Sequence, residues 1–164
     1  INEELGNAVG ITPTVAQLTG ITVLDCNSRN ISDLSGISNL TNLSELQLYS
    51  NQITDISALS SLTSLTSLNL QTNQITDVSA LSGLTSLTTL ELWSNQIIDI
   101  SALSGLTSLI TLNLDNNQIS DVSALSGLIN LTSLGLSINQ ITDISPILPL
   151  NIQDLNTADN PLSQ

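Results

Sequence analysis

Histidine, lysine, methionine and phenylalanine are missing from this 164-residue chain. Arg29 is its sole base, Cys26 its sole cysteine, and Tyr49 and Trp93 its only aromatic residues. Each absence excludes something. One cysteine rules out an internal disulfide framework, and without histidine the common zinc sites are out of reach, so neither a metal nor another cofactor is expected. The usual nucleophile and base pairs of catalysis are missing too, which leaves only paired carboxylates of the glycosidase kind. An enzyme is therefore not the expectation. Fourteen acids against one base give a net charge of −13. That balance excludes nucleic acid and anionic membrane surfaces as partners and makes any charged partner basic or of mixed charge. No apolar run approaches the ~20 residues that span a bilayer, so no membrane insertion is expected, and the first residues lack the basic and apolar regions of a signal peptide. The shortage of aromatics argues against an ordinary globular core and for thin, repeated layers of aliphatic side chains.

What is present is a repeat. Leu43, Leu46, Leu48, Asn51, Ile53, Asp55, Ile56, Leu59 and Leu62 recur 22 positions later as Leu65, Leu68, Leu70, Asn73, Ile75, Asp77, Val78, Leu81 and Leu84. Further copies begin at Leu87, Leu109 and Leu131. One copy back, Ile21, Leu24, Cys26, Arg29, Ile31, Asp33, Leu34, Ile37 and Leu40 form a variant in which Arg29 replaces the asparagine. A partial copy, one residue early, keeps Ile152, Leu155, Asn160 and Leu162, so the chain holds seven copies.

Each part of the unit has a physical task. The alternation in Leu46-Gln47-Leu48 suits a short strand with one buried face, and one such strand per coil, always in the same direction, makes a parallel sheet with a spacing of about 4.8 Å. The three-residue spacing of Ile56, Leu59 and Leu62 suits a return path of 3₁₀ or loosely helical turns. Asparagines 51, 73, 95, 117, 139 and 160 fall where the chain leaves the strand. There a side-chain amide, both donor and acceptor, can satisfy backbone groups that would otherwise be buried without partners. Aspartates 33, 55, 77, 99, 121 and 143 precede the return path, where a carboxylate accepts from backbone N–H groups as an N-cap or Asx-turn. This capping role is preferred over a stacked calcium site, because calcium-binding repeats use a glycine-rich unit.

The unit, with the phrases NQITDISALS, LTSLT and GISNLTNL, closely resembles the 22-residue leucine-rich repeats of the bacterial internalin-like family, over residues 21 to 162. The resemblance implies an α/β repeat solenoid, a horseshoe with a parallel β-sheet on the concave side and 3₁₀ or loop segments on the convex side. It also implies a helical cap over residues 1–20, in which Val15 and Leu18 anticipate the return-path positions of Ile37 and Leu40. The solenoid proper is expected over 21–164, about seven coils, without the C-terminal cap such proteins often carry. An uncovered last coil offers a place for self-association of an otherwise monomeric chain.

With the leucines inward, three columns face outward on the concave side. The first holds Val23, Glu45, Ser67, Thr89, Thr111, Ser133 and Asp154. The middle one holds Asp25, Gln47, Asn69, Glu91, Asn113, Gly135 and Asn156, and the last holds Asn27, Tyr49, Gln71, Trp93, Asp115, Ser137 and Ala158. Both aromatics share the last column, two strands and so roughly 10 Å apart. Tyr49 and Trp93 are therefore the expected anchors of a protein-binding site, with Glu45, Gln47, Gln71, Glu91 and Asp115 around them. The bland alternative is a polar face that serves solubility. Cys26, at a leucine position, reads as an inert core thiol, and Arg29 as a structural residue near the cap. Sequons such as Asn42-Leu43-Ser44 arise by chance in a chain so rich in Ser and Thr.

The reading is a non-enzymatic adhesion or recognition module that binds a protein through its concave face. Residence outside the cell or on the bacterial surface is what the resemblance implies. A structural spacer or consensus-like repeat scaffold is the alternative, favoured by the near-identical return segments. Carbohydrate binding through Trp93 and Tyr49 is another.

Overall fold

Leucine alternation and the 22-residue step dictate a coil that closes on itself, and the computed structural model, which describes residues 20–163, has that form. Each copy supplies one strand: β1 (Val23–Asp25), β2 (Glu45–Gln47), β3 (Ser67–Asn69), β4 (Thr89–Glu91), β5 (Thr111–Asn113), β6 (Ser133–Gly135) and β7 (Asp154–Asn156). The strands form one parallel sheet in sequence order. Register follows the repeat: Leu46 pairs with Leu68, Leu68 with Leu90, and so on, until the step shortens at Leu134 and Leu155. Only three residues per copy are strand, yet coil-to-coil hydrogen bonding runs further. Thr66 N donates to Ser44 O before the strand, and Gln74 N to Ile53 O well after it.

The return path is a row of 3₁₀ turns: η1 (Ile37–Asn39), η2 (Ser57–Leu59), η3 (Ser79–Leu81), η4 (Ser101–Leu103), η5 (Ser123–Leu125) and η6 (Ser145–Ile147). Strands stack closely through backbone hydrogen bonds, whereas the turns stack through side chains, so the strand side is the shorter, concave arc. Between the two lies a continuous aliphatic core in which Leu46, Leu68, Leu90, Leu59 and Leu81 are fully buried. Cys26 occupies its leucine position in that core.

Two polar ladders frame the core. Each ladder asparagine reaches back one coil: Asn73 Nδ2 donates to Leu48 O (3.1 Å) and to Leu70 O (3.0 Å), while its Oδ1 accepts from Ile53 N (3.0 Å). Asn51, Asn95, Asn117, Asn139 and Asn160 repeat the pattern. The backward reach accounts for Arg29. Asn51 already accepts from Arg29 N and Ile31 N and donates to Cys26 O, so the first full copy has its partner in the second. The residue before each ladder position adopts a left-handed conformation, from Ser28 (φ 56°) and Ser50 (φ 56°) to Asn116 (φ 52°) and Ile138 (φ 53°). Of the two forms expected for the aspartates, the structure has the Asx-turn. Asp55 Oδ1 accepts from Ser57 N at 2.8 Å, as Asp99 does from Ser101 N at 2.7 Å, while the residue directly before each turn offers no side-chain cap.

The helical cap expected over residues 1–20, with Val15 and Leu18, lies outside the described residues apart from Gly20. At the other end no described strand covers β7, and Leu155 is 40% exposed where Leu24 to Leu134 in the same column are buried.

Candidate functional site

The concave sheet face gathers the seven residues singled out by sequence. Glu45 and Gln47 lie on β2, Gln71 just past β3, Glu91 on β4, Trp93 just past it, and Asp115 just past β5. Tyr49, Gln71 and Trp93 follow one another on successive coils. Their carbonyls accept in turn from Ser28 N (2.9 Å), Ser50 N (3.0 Å) and Thr72 N (2.8 Å), the left-handed residues of the preceding coils, and this fixes their backbone in line. Tyr49 is 39% and Trp93 40% exposed.

The polar residues around them divide by role. Asp25, Asn69, Asn113 and Asn156 in the middle column each accept from the backbone N–H two residues on, at 3.0 to 3.2 Å. That column is thus partly scaffold, which the sequence reading did not separate. Asn27 Oδ1 accepts from Tyr49 N (2.8 Å) and Asp115 Oδ1 from Ser137 N (2.6 Å), so Asp115 braces the next coil as well as facing solvent. Glu45 accepts from Gln47 Nε2 at 3.1 Å, which leaves the pair oriented across the face of β2. Glu91 is half-buried, and burial pushes its carboxyl above the usual range; the Asn113 side chain opposes that shift and the charge of Asp115 adds to it.

Past Trp93 the face deepens into an open cleft of about 250 Å³ whose lining includes Glu91, Asn113, Asp115, Gly135 and Asp154. Gly135 leaves room for two of its walls: a β-carbon there would stand 2.7 Å from Asn113 Oδ1 and 2.9 Å from Asp115 Oδ1. Ile138, beyond β6, is 51% exposed and places an apolar side chain at the strand-exit side. Neither feature was picked out from sequence. Both carried a signal, since Gly135 is the sole glycine of the middle column and Ile138 breaks a column otherwise made of Ser, Thr, Asn and Asp. Among the described residues no cluster of three or more Cys, Asp or Glu side chains is arranged to hold a metal ion. The convex aspartates are engaged by backbone: the Ser35, Ser57 and Ser123 N–H groups hold Asp33, Asp55 and Asp121 below the ordinary carboxylate range.

Comparisons with known proteins agree with the repeat fold. Residues 19–61, 41–83 and 85–127 match the family of leucine-rich repeats (2 copies). No curated protein matches the chain by sequence. Among solved structures, an internalin (inlF) from Listeria monocytogenes is 36% identical over 99% of this chain, with a TM-score of 0.83; the chain spans 55% of its length. Internalin C2 (inlC2) from the same species is 37% identical over 99% of this chain and 83% of its own, with a TM-score of 0.76. The functional domain of InlJ from Listeria monocytogenes is 29% identical over 92% of this chain and 37% of its own, with a TM-score of 0.72. That domain includes a cysteine ladder, whereas Cys26 is the one cysteine of this chain.

Proposed function

The chain belongs to the internalin family of bacterial leucine-rich-repeat proteins, and from that premise we propose that it is a non-catalytic recognition module, secreted or displayed on the bacterial surface, that binds a protein through its concave face. One observation carries the reading: the two aromatic side chains of the whole sequence stand two coils apart on the outward face of the sheet, both about 40% exposed. Burying either against a partner gains apolar area without a large loss of side-chain entropy, which is why such residues anchor interfaces. The acids of the same face favour a partner with basic or mixed charge and speed its approach. No helix among the described residues is long and apolar enough to cross a membrane.

The experiment is affinity capture from a cell-surface protein extract with the wild type beside a Tyr49→Ala, Trp93→Ala double variant whose circular dichroism is unchanged. A partner retained by the wild type and lost by the double variant is the expected result. Equal retention by both removes the concave aromatics from the site.

A further inference from the structure

We propose, resting on the concave-face reading above, that the segment recognised across coils 2 to 4 is a basic, proline-rich stretch in the polyproline II conformation, seated on Tyr49, Gln71 and Trp93. The spacing of the receptors points to it. Tyr49 and Trp93 are two strand steps apart, roughly 9.6 Å at the usual strand separation. A polyproline II helix returns the same face every three residues, roughly 9.3 Å along its axis. An α-helix repeats a face every seven residues, about 10.5 Å, and an extended strand every two, about 6.7 Å, so both fit less well.

The chemistry agrees with the spacing. Polyproline II has no internal hydrogen bonds, so its carbonyls stay in search of donors. Gln71, half-buried on the coil between the two aromatics, sets a side-chain amide at the midpoint of the track. Tyr and Trp faces are the surfaces on which proline rings dock in aromatic-lined grooves. Charge then selects among proline-rich sequences. Asp115 lies one coil past Trp93 in the same column, and Asp25 lies one coil before Tyr49 in the neighbouring column, so acids stand near both ends of the track. None of the three outward columns contains a base. A segment with Arg or Lys flanking its prolines meets opposite charge at each end.

Trp93, the only tryptophan, reports the test directly. The wild type is titrated with a short peptide of Pro-x-x-Pro repeats flanked by arginines, with an equally charged analogue whose prolines are glycines, and with an equally charged amphipathic helical peptide. Saturable change of Trp93 emission is expected with the first peptide, and binding about tenfold or more weaker with the other two. Tyr49→Ala is expected to weaken the first peptide about tenfold, and Gln71→Ala a few-fold. Equal binding of the glycine analogue, tighter binding of the helical peptide, or indifference to Tyr49→Ala overturns the inference. If no peptide binds while the double aromatic variant still loses a captured protein, the polyproline assignment fails and the concave-face reading stands. If the first peptide binds as described while captured proteins ignore the two aromatics, the assignment of this track holds and the broader reading fails.

Discussion

Asn73 closes four hydrogen bonds with its own coil and the one before, in a side chain 9% exposed. Asn73→Ala leaves Ile53 N without its acceptor, while Leu48 O and Leu70 O keep Asn51 and Asn95 as donors, and an expected loss of about 1 to 3 kcal/mol should appear as a lower urea midpoint. Ile138 illustrates the opposite error in sequence. A β-branched residue at φ 53° is strained, while Asn116 holds the equivalent place at φ 52° with a side chain suited to it. Ile138→Asn should therefore stabilise by roughly 1 kcal/mol in the same titration. Carboxylates pull stability in two directions. Asp33, Asp55 and Asp121 have lowered values, so their contribution is present above the unfolded carboxylate value and is lost as pH falls through the folded one. Glu91 has a raised value, so its contribution is favourable in acid and disappears as pH rises through that value. Glu91→Gln should raise the thermal midpoint at pH 7 and do so less at pH 3; an equal shift at both refutes the burial argument. The ladder asparagines were legible because the repeat exposes them. Their backward direction was not, because spacing alone cannot say whether the partner coil precedes or follows.

Among the elements, β6 shows how one residue shapes a surface. Gly135 lets the Asn113 and Asp115 side chains lean over it, and Asp115 in that pose holds Ser137 N. Gly135→Ala should push Asp115 aside and cost about 1 to 2 kcal/mol in chemical denaturation. In an Asp115→Ala background the cost should shrink, which a double-mutant cycle measures. Strands and return turns were readable from the period-two and period-three patterns, since burial of every second or third leucine leaves few alternatives. The form of the aspartate turn was less readable, because an N-cap and an Asx-turn ask for the same residue at nearly the same place. A hydroxyl row before the strands was missed. Ser44, Thr66 and Thr88 each donate a side-chain O–H to the coil behind, and Ile110 interrupts the row with a side chain 46% exposed.

At the scale of the whole molecule, a net charge of −13 with one base means self-repulsion along a thin solenoid. The thermal midpoint should rise when sodium chloride is increased from about 10 to 150 mM, as the Debye length falls from about 30 to 8 Å. A flat or falling midpoint would show that local pairing outweighs repulsion. The solenoid itself was legible in full, since copies that match in register can stack in few other ways. The outward face of the sheet was legible as columns, but not the division between side chains that brace neighbouring coils and side chains left to solvent. That division depends on which N–H groups the sheet leaves over.

The backward reach of the asparagines gives the array a polarity in time. A strand exit becomes fastened when the following coil arrives with its amide. During synthesis the amino-terminal coils emerge first, and each new coil of 22 residues takes about 1 to 4 seconds at ordinary translation rates. The nascent chain thus advances like a ratchet, each newcomer latching its predecessor, so folding can keep pace with the ribosome.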